Sequence, residues 1–209
     1  MVIKRGVWGF FVLFFMSKNI MAIEEAKYTV LLNEQNFEVR QYESHLLAET
    51  IVEGDLEDAG SNAFNLLFKY ISGDNKSKSK VSMTSPVTQE AVSEKIDMTS
   101  PVGQQLKDGK WAVSFMMPSS YTLDTLPVPT NPSVILRQVP AQYIAAIRYS
   151  GFWSEKGYRL NLDKLNDWIE KQKLRVIGVP IWARYNPPFM PWFLRRNEIL
   201  IPIKKPSGI

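Results

Sequence analysis

Apolar and polar residues alternate in the stretch after position 22, and that alternation predicts strands near Tyr28–Leu32, Phe37–Tyr42 and Leu46–Val52. The period then lengthens. Leu56, Ala59, Ala63, Leu66, Leu67 and Tyr70 recur at helical spacing, with Asp55 just ahead of them as an N-cap. A polar connection, SGDNKSKSK from Ser72 to Lys80, follows. Further on, VILRQVPAQYIAAIRYSG (Val134 to Gly151) predicts two strands turning around Pro140. SEKGYRLNLDKLNDWIEKQ predicts a helix capped by Ser154, with Leu162, Leu165, Trp168 and Ile169 inward, and two more strands are expected near Val176–Tyr185 and Glu198–Ile203. The order of elements therefore repeats. Arg40-Gln41 and Gly54 stand 97 residues before Arg137-Gln138 and Gly151. A duplicated strand–strand–helix–strand unit would leave such a trace, and the fold class it implies is α+β.

A second repetition is local. Lys80-Val81-Ser82-Met83-Thr84-Ser85-Pro86-Val87 returns as Lys95-Ile96-Asp97-Met98-Thr99-Ser100-Pro101-Val102. Val81, Met83, Ile96 and Met98 alternate with polar residues, so two neighbouring strands are expected, each ended by its proline. The two methionines serve either as core filler or as the wall of a pocket for a large apolar ligand. Met116 and Met117, before Pro118, continue the pattern.

Charge and composition narrow the function. The formal charge of +4 comes largely from residues 1–22, which hold Lys4, Arg5 and Lys18 and no acid. The remainder is nearly neutral, so phosphate-backbone binding has no electrostatic warrant. Lys4 and Arg5 precede the apolar run Gly6 to Met16, which is short for a bilayer span. A polar SKN and Ile20-Met21-Ala22 follow, the layout of a secretory signal peptide. Residues 1–22 are thus expected to be a signal peptide cleaved after Ala22, or an uncleaved anchor since Ile20 is bulky for its place. Residues 23–209 are expected to be one exported, periplasmic, monomeric domain with no stable membrane span. The chain has no cysteine and one histidine, His45, which excludes disulfides, thiol chemistry and multi-histidine metal sites.

The doubled Met-Thr-Ser-Pro-Val, the following Phe-Met-Met-Pro, and YNPPFMPWFLRRNEI (Tyr185 to Ile199) together resemble the SOUL family of haem-binding proteins, over roughly Tyr28 to Lys204. The resemblance implies a twisted antiparallel sheet or distorted β-barrel flanked by two main helices, built from a duplicated unit and related to bacterial effector-binding domains. It also implies reversible binding of haem or a related tetrapyrrole, as carrier or buffer and without catalysis.

On the first helix, Phe64 lies beside the buried stripe and Phe68 points away from it. The pair either receives a flat apolar ligand or is covered by neighbouring chain. Lys69, also outside the stripe, is placed to meet a propionate. The apolar loop Pro187 to Phe193 offers Phe189 and Met190 as a second wall, and the resemblance places that loop and the first helix around the tetrapyrrole pocket. Met83 and Met98 complete the candidate set. His45 is the candidate axial ligand. Parity sets it with Glu49 and Glu53, opposite Leu46, Ala48 and Val52, and so predicts a surface histidine. Arg195, Arg196 and Glu198 are expected to form a structural ion-pair network. Two rival functions stay open: a hydrolase or other enzyme acting on a small apolar molecule in the same cleft, and a module whose loop 187–193 docks a protein or a membrane surface.

Overall fold

The computed structural model describes residues 23–78 and 92–207. The N-terminal apolar segment, its cleavage position at Ala22 and the first octapeptide copy with Met83 lie outside the described residues. In chain order the strands are Glu24–Glu25 (β1), Tyr28–Glu34 (β2), Phe37–Tyr42 (β3) and His45–Val52 (β4), and then the helix Leu56–Ile71 (α1). Asn75–Lys76 (β5), Thr99–Ser100 (β6), Val102–Lys107 (β7), Lys110–Met116 (β8), Val128–Pro129 (β9), Ile135–Val139 (β10) and Gln142–Tyr149 (β11) follow. The chain closes with the helix Glu155–Lys171 (α2), Ile181–Arg184 (β12) and Asn197–Ile203 (β13).

Nine of these strands form one antiparallel half-barrel sheet in the order β10-β4-β8-β7-β12-β13-β11-β3-β2. With the edge strand β2 set aside, this order is symmetric about the β7–β12 pair. The registers share the symmetry. A shift of 97 residues, the interval from Tyr42 to Val139, turns the pair Tyr42↔Gln142 into Val139↔His45, and both pairs are present. Gly54 and Gly151 occupy matching turns into the two helices, at φ of +124° and +141°. A side chain there would be strained, which explains glycine at both.

The helices start where their caps predict. The Asp58 amide donates to Asp55 Oδ1 at 2.9 Å, and the Gly157 amide donates to Ser154 Oγ at 3.2 Å. α1 buries Ala59, Ala63, Leu67 and Tyr70 against β4 and β8, while Leu66 is only half-buried. α2 buries Leu165, Trp168 and Ile169 against β11 and β13. Each fully buried aliphatic or aromatic side chain contributes about 1.5–3 kcal/mol. In β11, Ala145 and Ile147 face α2, whereas Ile144 and Ala146 join Tyr42, Ala183, Tyr185 and Leu200 in a cluster on the opposite, helix-free face.

Three elements differ from expectation. The hairpin β7–β8 turns on Asp108 and Gly109, both at positive φ; an Asp-Gly pair between alternating segments is its signal, and the apolar reading passed over it. In the second octapeptide, Thr99–Ser100 pairs in parallel with Glu24–Glu25, and pairing resumes at Val102 directly after Pro101. The proline marks a corner between two pairings rather than the end of a strand. Val176 makes one bridge, to Ile203, and the ladder of that segment begins only after Pro180, which has no amide hydrogen to donate.

Candidate functional site

The first candidate surface lies on the helix-bearing face. With Ala63, Leu67 and Tyr70 turned to the sheet, the 100° step of the helix sends Phe64 sideways and Phe68 outward. Phe64 meets Phe115 edge-on at 5.2 Å and stacks on Phe68 with ring centroids 5.8 Å apart and planes 11° from parallel. Phe68 remains 48% exposed. Met98 is half-buried against the same core that Phe64 packs on, and exposed Lys69 follows Phe68 in the last helical turn. Phe64 and Phe68 thus form a shelf with a flat aromatic edge.

One turn earlier on α1, a Cβ at Gly60 would stand 2.7 Å from Arg184 Nη2 and 3.0 Å from Gln104 Oε1. The helix therefore crosses β7 and β12 over a glycine. Arg184 donates to Gln104 Oε1 at 2.6 Å and lies near the rings of Trp153 and Trp182, at 5.3 and 4.9 Å. It has no carboxylate partner among the described residues, and burial pushes its guanidinium down to about 10. Arg184 is a cation one helical turn from Phe64 that no local pattern singles out, because only the crossing of α1 over the central strands buries it.

Phe189 and Met190 lie on the loop that leads to β13. Phe189 is 85% exposed, and Met190 is held by its own loop, its amide donating to Pro187 O. Trp192 stacks on Phe152 and meets Phe193 edge-on. The ring of Trp153 lies between the two segments: Arg184, beneath Gly60 of α1, is 5.3 Å from its centroid, and Arg195, which holds the loop, is 4.5 Å from it. Arg195 is displaced from its expected ion-pair network. It donates to Met190 O at 2.8 Å and Pro188 O at 2.6 Å and lies over the Trp153 ring.

The second candidate surface is a cleft on the helix-free face. A cavity of about 220 Å³ is bordered by Ala26, Ser44, His45, Met116 and Gln138. A smaller one of about 70 Å³, among Tyr42, Leu47, Ile144, Ile181 and Leu200, shares Ala26, His45 and Met116 with it. His45 does lie opposite Leu46 and Ala48, as parity requires, yet it is half-buried. Its face is not open water. Glu49, expected to be solvated beside it, is 3% exposed and paired with Arg137 at 2.6 Å. Nδ1 of His45 lies 3.0 Å from Glu43 O, which as donor leaves Nε2 the free lone pair. Burial, aided by the Arg137 charge, holds the imidazole below its ordinary pKa and so neutral at pH 7.

Beside this cleft, Arg40 and Glu198 form a bidentate pair at 2.6 and 3.1 Å, 2% and 0% exposed. Arg196 Nε, at 2.9 Å, and Tyr185 OH, at 2.9 Å, also donate to Glu198. Burial alone would push the Glu198 carboxyl up, but Arg40 and Arg196 outweigh it and hold it below the carboxylate range. Burial pushes Tyr42 up to about 12. These groups are locked as ion pair and phenol, outside the range in which a general base works near neutrality. No group of three or more His, Asp or Glu able to hold a metal occurs among the described residues.

Comparison with known proteins gives a consistent picture. The family model described as SOUL heme-binding protein matches residues 23–202. Heme-binding protein 1 of Xenopus tropicalis is 26% identical over 164 residues, covering 78% of this chain and 81% of that protein; its Xenopus laevis counterpart matches equally. Among solved structures, the EcmrR C-terminal domain superposes with a TM-score of 0.57 at 9% identity, covering 85% of this chain and 98% of that one. A hydrolase from Listeria innocua does so at 0.54 and 12% identity, covering 83% and 94%. At such identities the two structures speak to the fold alone.

Proposed function

The chain belongs to the SOUL heme-binding protein family, and on that premise we propose that it binds haem or a related tetrapyrrole reversibly, as a carrier or buffer without catalysis. The ligand lies on the α1 shelf. The observation that carries this reading is the parallel Phe64–Phe68 pair, which leaves an aromatic face half-exposed. A planar macrocycle gains both apolar burial and offset stacking on such a face. Lys69 and Arg184 supply positive charge for carboxylates at its rim. Covering roughly 300 Å² at about 25 cal/mol per Å² yields on the order of 7 kcal/mol before the costs of association. Micromolar binding corresponds to about 8 kcal/mol, so face burial with a charge contact at the rim approaches weak binding without an iron bond.

The cleft with His45 carries a second reading, because a neutral imidazole with a free Nε2 suits iron. Its cavity of about 220 Å³ is smaller than the roughly 300 Å³ at which pockets begin to enclose drug-sized ligands. A macrocycle there would stand largely outside. The shelf is favoured by its stacked pair of rings, which offers a flat apolar face, and His45, on the opposite side of the sheet, is no axial ligand in it. Titration with haemin followed in the Soret band tests the function. A spectrum identical to haemin with an unrelated protein of equal charge removes the proposal.

A further inference from the structure

The two cavities on the helix-free face share Ala26, His45 and Met116. Neighbouring strands supply their walls. Leu47 of β4 stands opposite Met116 of β8, so His45, two residues earlier on the same side of β4, is a diagonal neighbour of that methionine. Tyr42 of β3 sets its ring 6.4 Å from the imidazole, and Ile144, Ile181 and Leu200 close the smaller cavity. A thioether packs favourably at the edge of an aromatic ring, and Met116 is buried where it would meet one. An apolar cavity of about 150 Å³ suffices for a single benzene ring. The larger cavity, at about 220 Å³, therefore has room for two fused rings but not for a macrocycle.

The polar groups decide which rings fit. Tyr42 OH already accepts from Arg40 Nη1 at 3.1 Å, and Ser44 Oγ accepts from Gln138 at 2.9 Å. With Nδ1 engaged by Glu43 O, His45 keeps Nε2 as an acceptor without a partner among the described residues. Ser114 and Gln142 add uncharged groups to the smaller cavity. Arg137, whose charge reaches the imidazole from β10, is paired with Glu49. At the mouth, Glu25 is paired with Arg196, Glu24 accepts from the Ser119 amide, and exposed Lys27 and Glu43 oppose each other in sign. Nothing there attracts an anion, and a half-buried acceptor without a partner is satisfied by one N–H. We propose that this cleft is a second ligand site, for a neutral bicyclic heteroaromatic of the indole type whose N–H donates to His45 Nε2. It lies across the sheet from the α1 shelf and does not depend on what binds there.

The protein has one histidine, so a single imidazole signal reports the site. In a nitrogen–proton NMR titration, indole is expected to saturate with a dissociation constant below about 1 mM. It should shift the Nε2 resonance toward the hydrogen-bonded position and move the Met116 methyl with it. 1-Methylindole keeps the rings but lacks the donor; it should bind at least about fivefold more weakly and leave Nε2 unmoved. His45→Phe should bring indole down to the level of 1-methylindole, with an unchanged melting temperature showing that the fold survives. Should that variant fold poorly, the two indoles on wild type decide alone. Haemin is expected not to displace indole, and Phe68→Ala not to alter indole binding. Indole that fails to saturate by about 5 mM, 1-methylindole that binds equally well, or displacement of indole by haemin overturns the proposal. A protein that ignores haemin leaves this site standing, and one that ignores indole leaves the shelf standing, so the two proposals fail separately.

Discussion

Replacing Phe68 by Ala separates the shelf from the cleft as the haem site. A phenylalanine side chain presents about 150–250 Å², and with 48% of it exposed about 100 Å² is left for a ligand to cover. Full cover at about 25 cal/mol per Å² would contribute about 2.5 kcal/mol. A planar ligand lies on one side of the ring only, so about half of that, near 1.3 kcal/mol, is the expected loss. This corresponds to a dissociation constant about tenfold weaker. The fold should tolerate the change, because the ring is held chiefly by its stack on Phe64, and a thermal melt checks that it does. Parallel Soret titrations of wild type, Phe68→Ala and His45→Ala give the answer. The expected pattern is a tenfold loss for Phe68→Ala and no more than a few-fold change for His45→Ala. Should Phe68→Ala titrate like wild type while His45→Ala loses more than about tenfold, the ligand sits in the helix-free cleft and the shelf argument is wrong.

Glu198→Gln removes the anion that two buried guanidiniums share and should cost about 3 kcal/mol in a denaturant melt, with Arg40 kept from a larger loss by its contact to Glu38. The wild-type carboxyl is held below its ordinary 4.5 in the fold. Its contribution is therefore complete above pH 4.5 and disappears as pH falls toward the lowered folded value; the Gln variant should show a flatter loss of melting temperature below pH 4.5. Gly178→Ala places a Cβ 2.8 Å from Pro202 Cγ, and since that ring cannot swing away the expected destabilisation is about 1–3 kcal/mol by equilibrium unfolding. Ser154→Ala should cost about 1 kcal/mol by the same measurement, through loss of the cap on the Gly157 amide.

Much of this architecture is written locally. Two helices, their caps at Asp55 and Ser154, and strands β3, β4, β10 and β11 follow from periods of two and 3.6 and from residues that bond within a turn of themselves. The match between halves could be read from a 97-residue interval because equivalent turns require glycine at equivalent places. Parity put His45 and Glu49 on the same side of their strand, and it did so correctly. What parity lacks is any knowledge of what lies across from that side. Arg137 comes from another strand to cover Glu49, and Met116 with the segment before β2 walls in His45.

The same limit applies to both candidate surfaces. The sequence by itself determined that Phe64 and Phe68 would stand off the buried stripe of α1, because the helical step is fixed by backbone geometry. It determined too that the Pro-rich loop would be stiff and apolar. Only the tertiary structure decided that Arg195 clasps its own loop instead of meeting Glu198, and that Arg184 lies under Gly60 without a carboxylate partner among the described residues. Each of those outcomes depends on residues brought together from distant points along the chain. Such encounters are set by how whole elements pack, and no single segment encodes them.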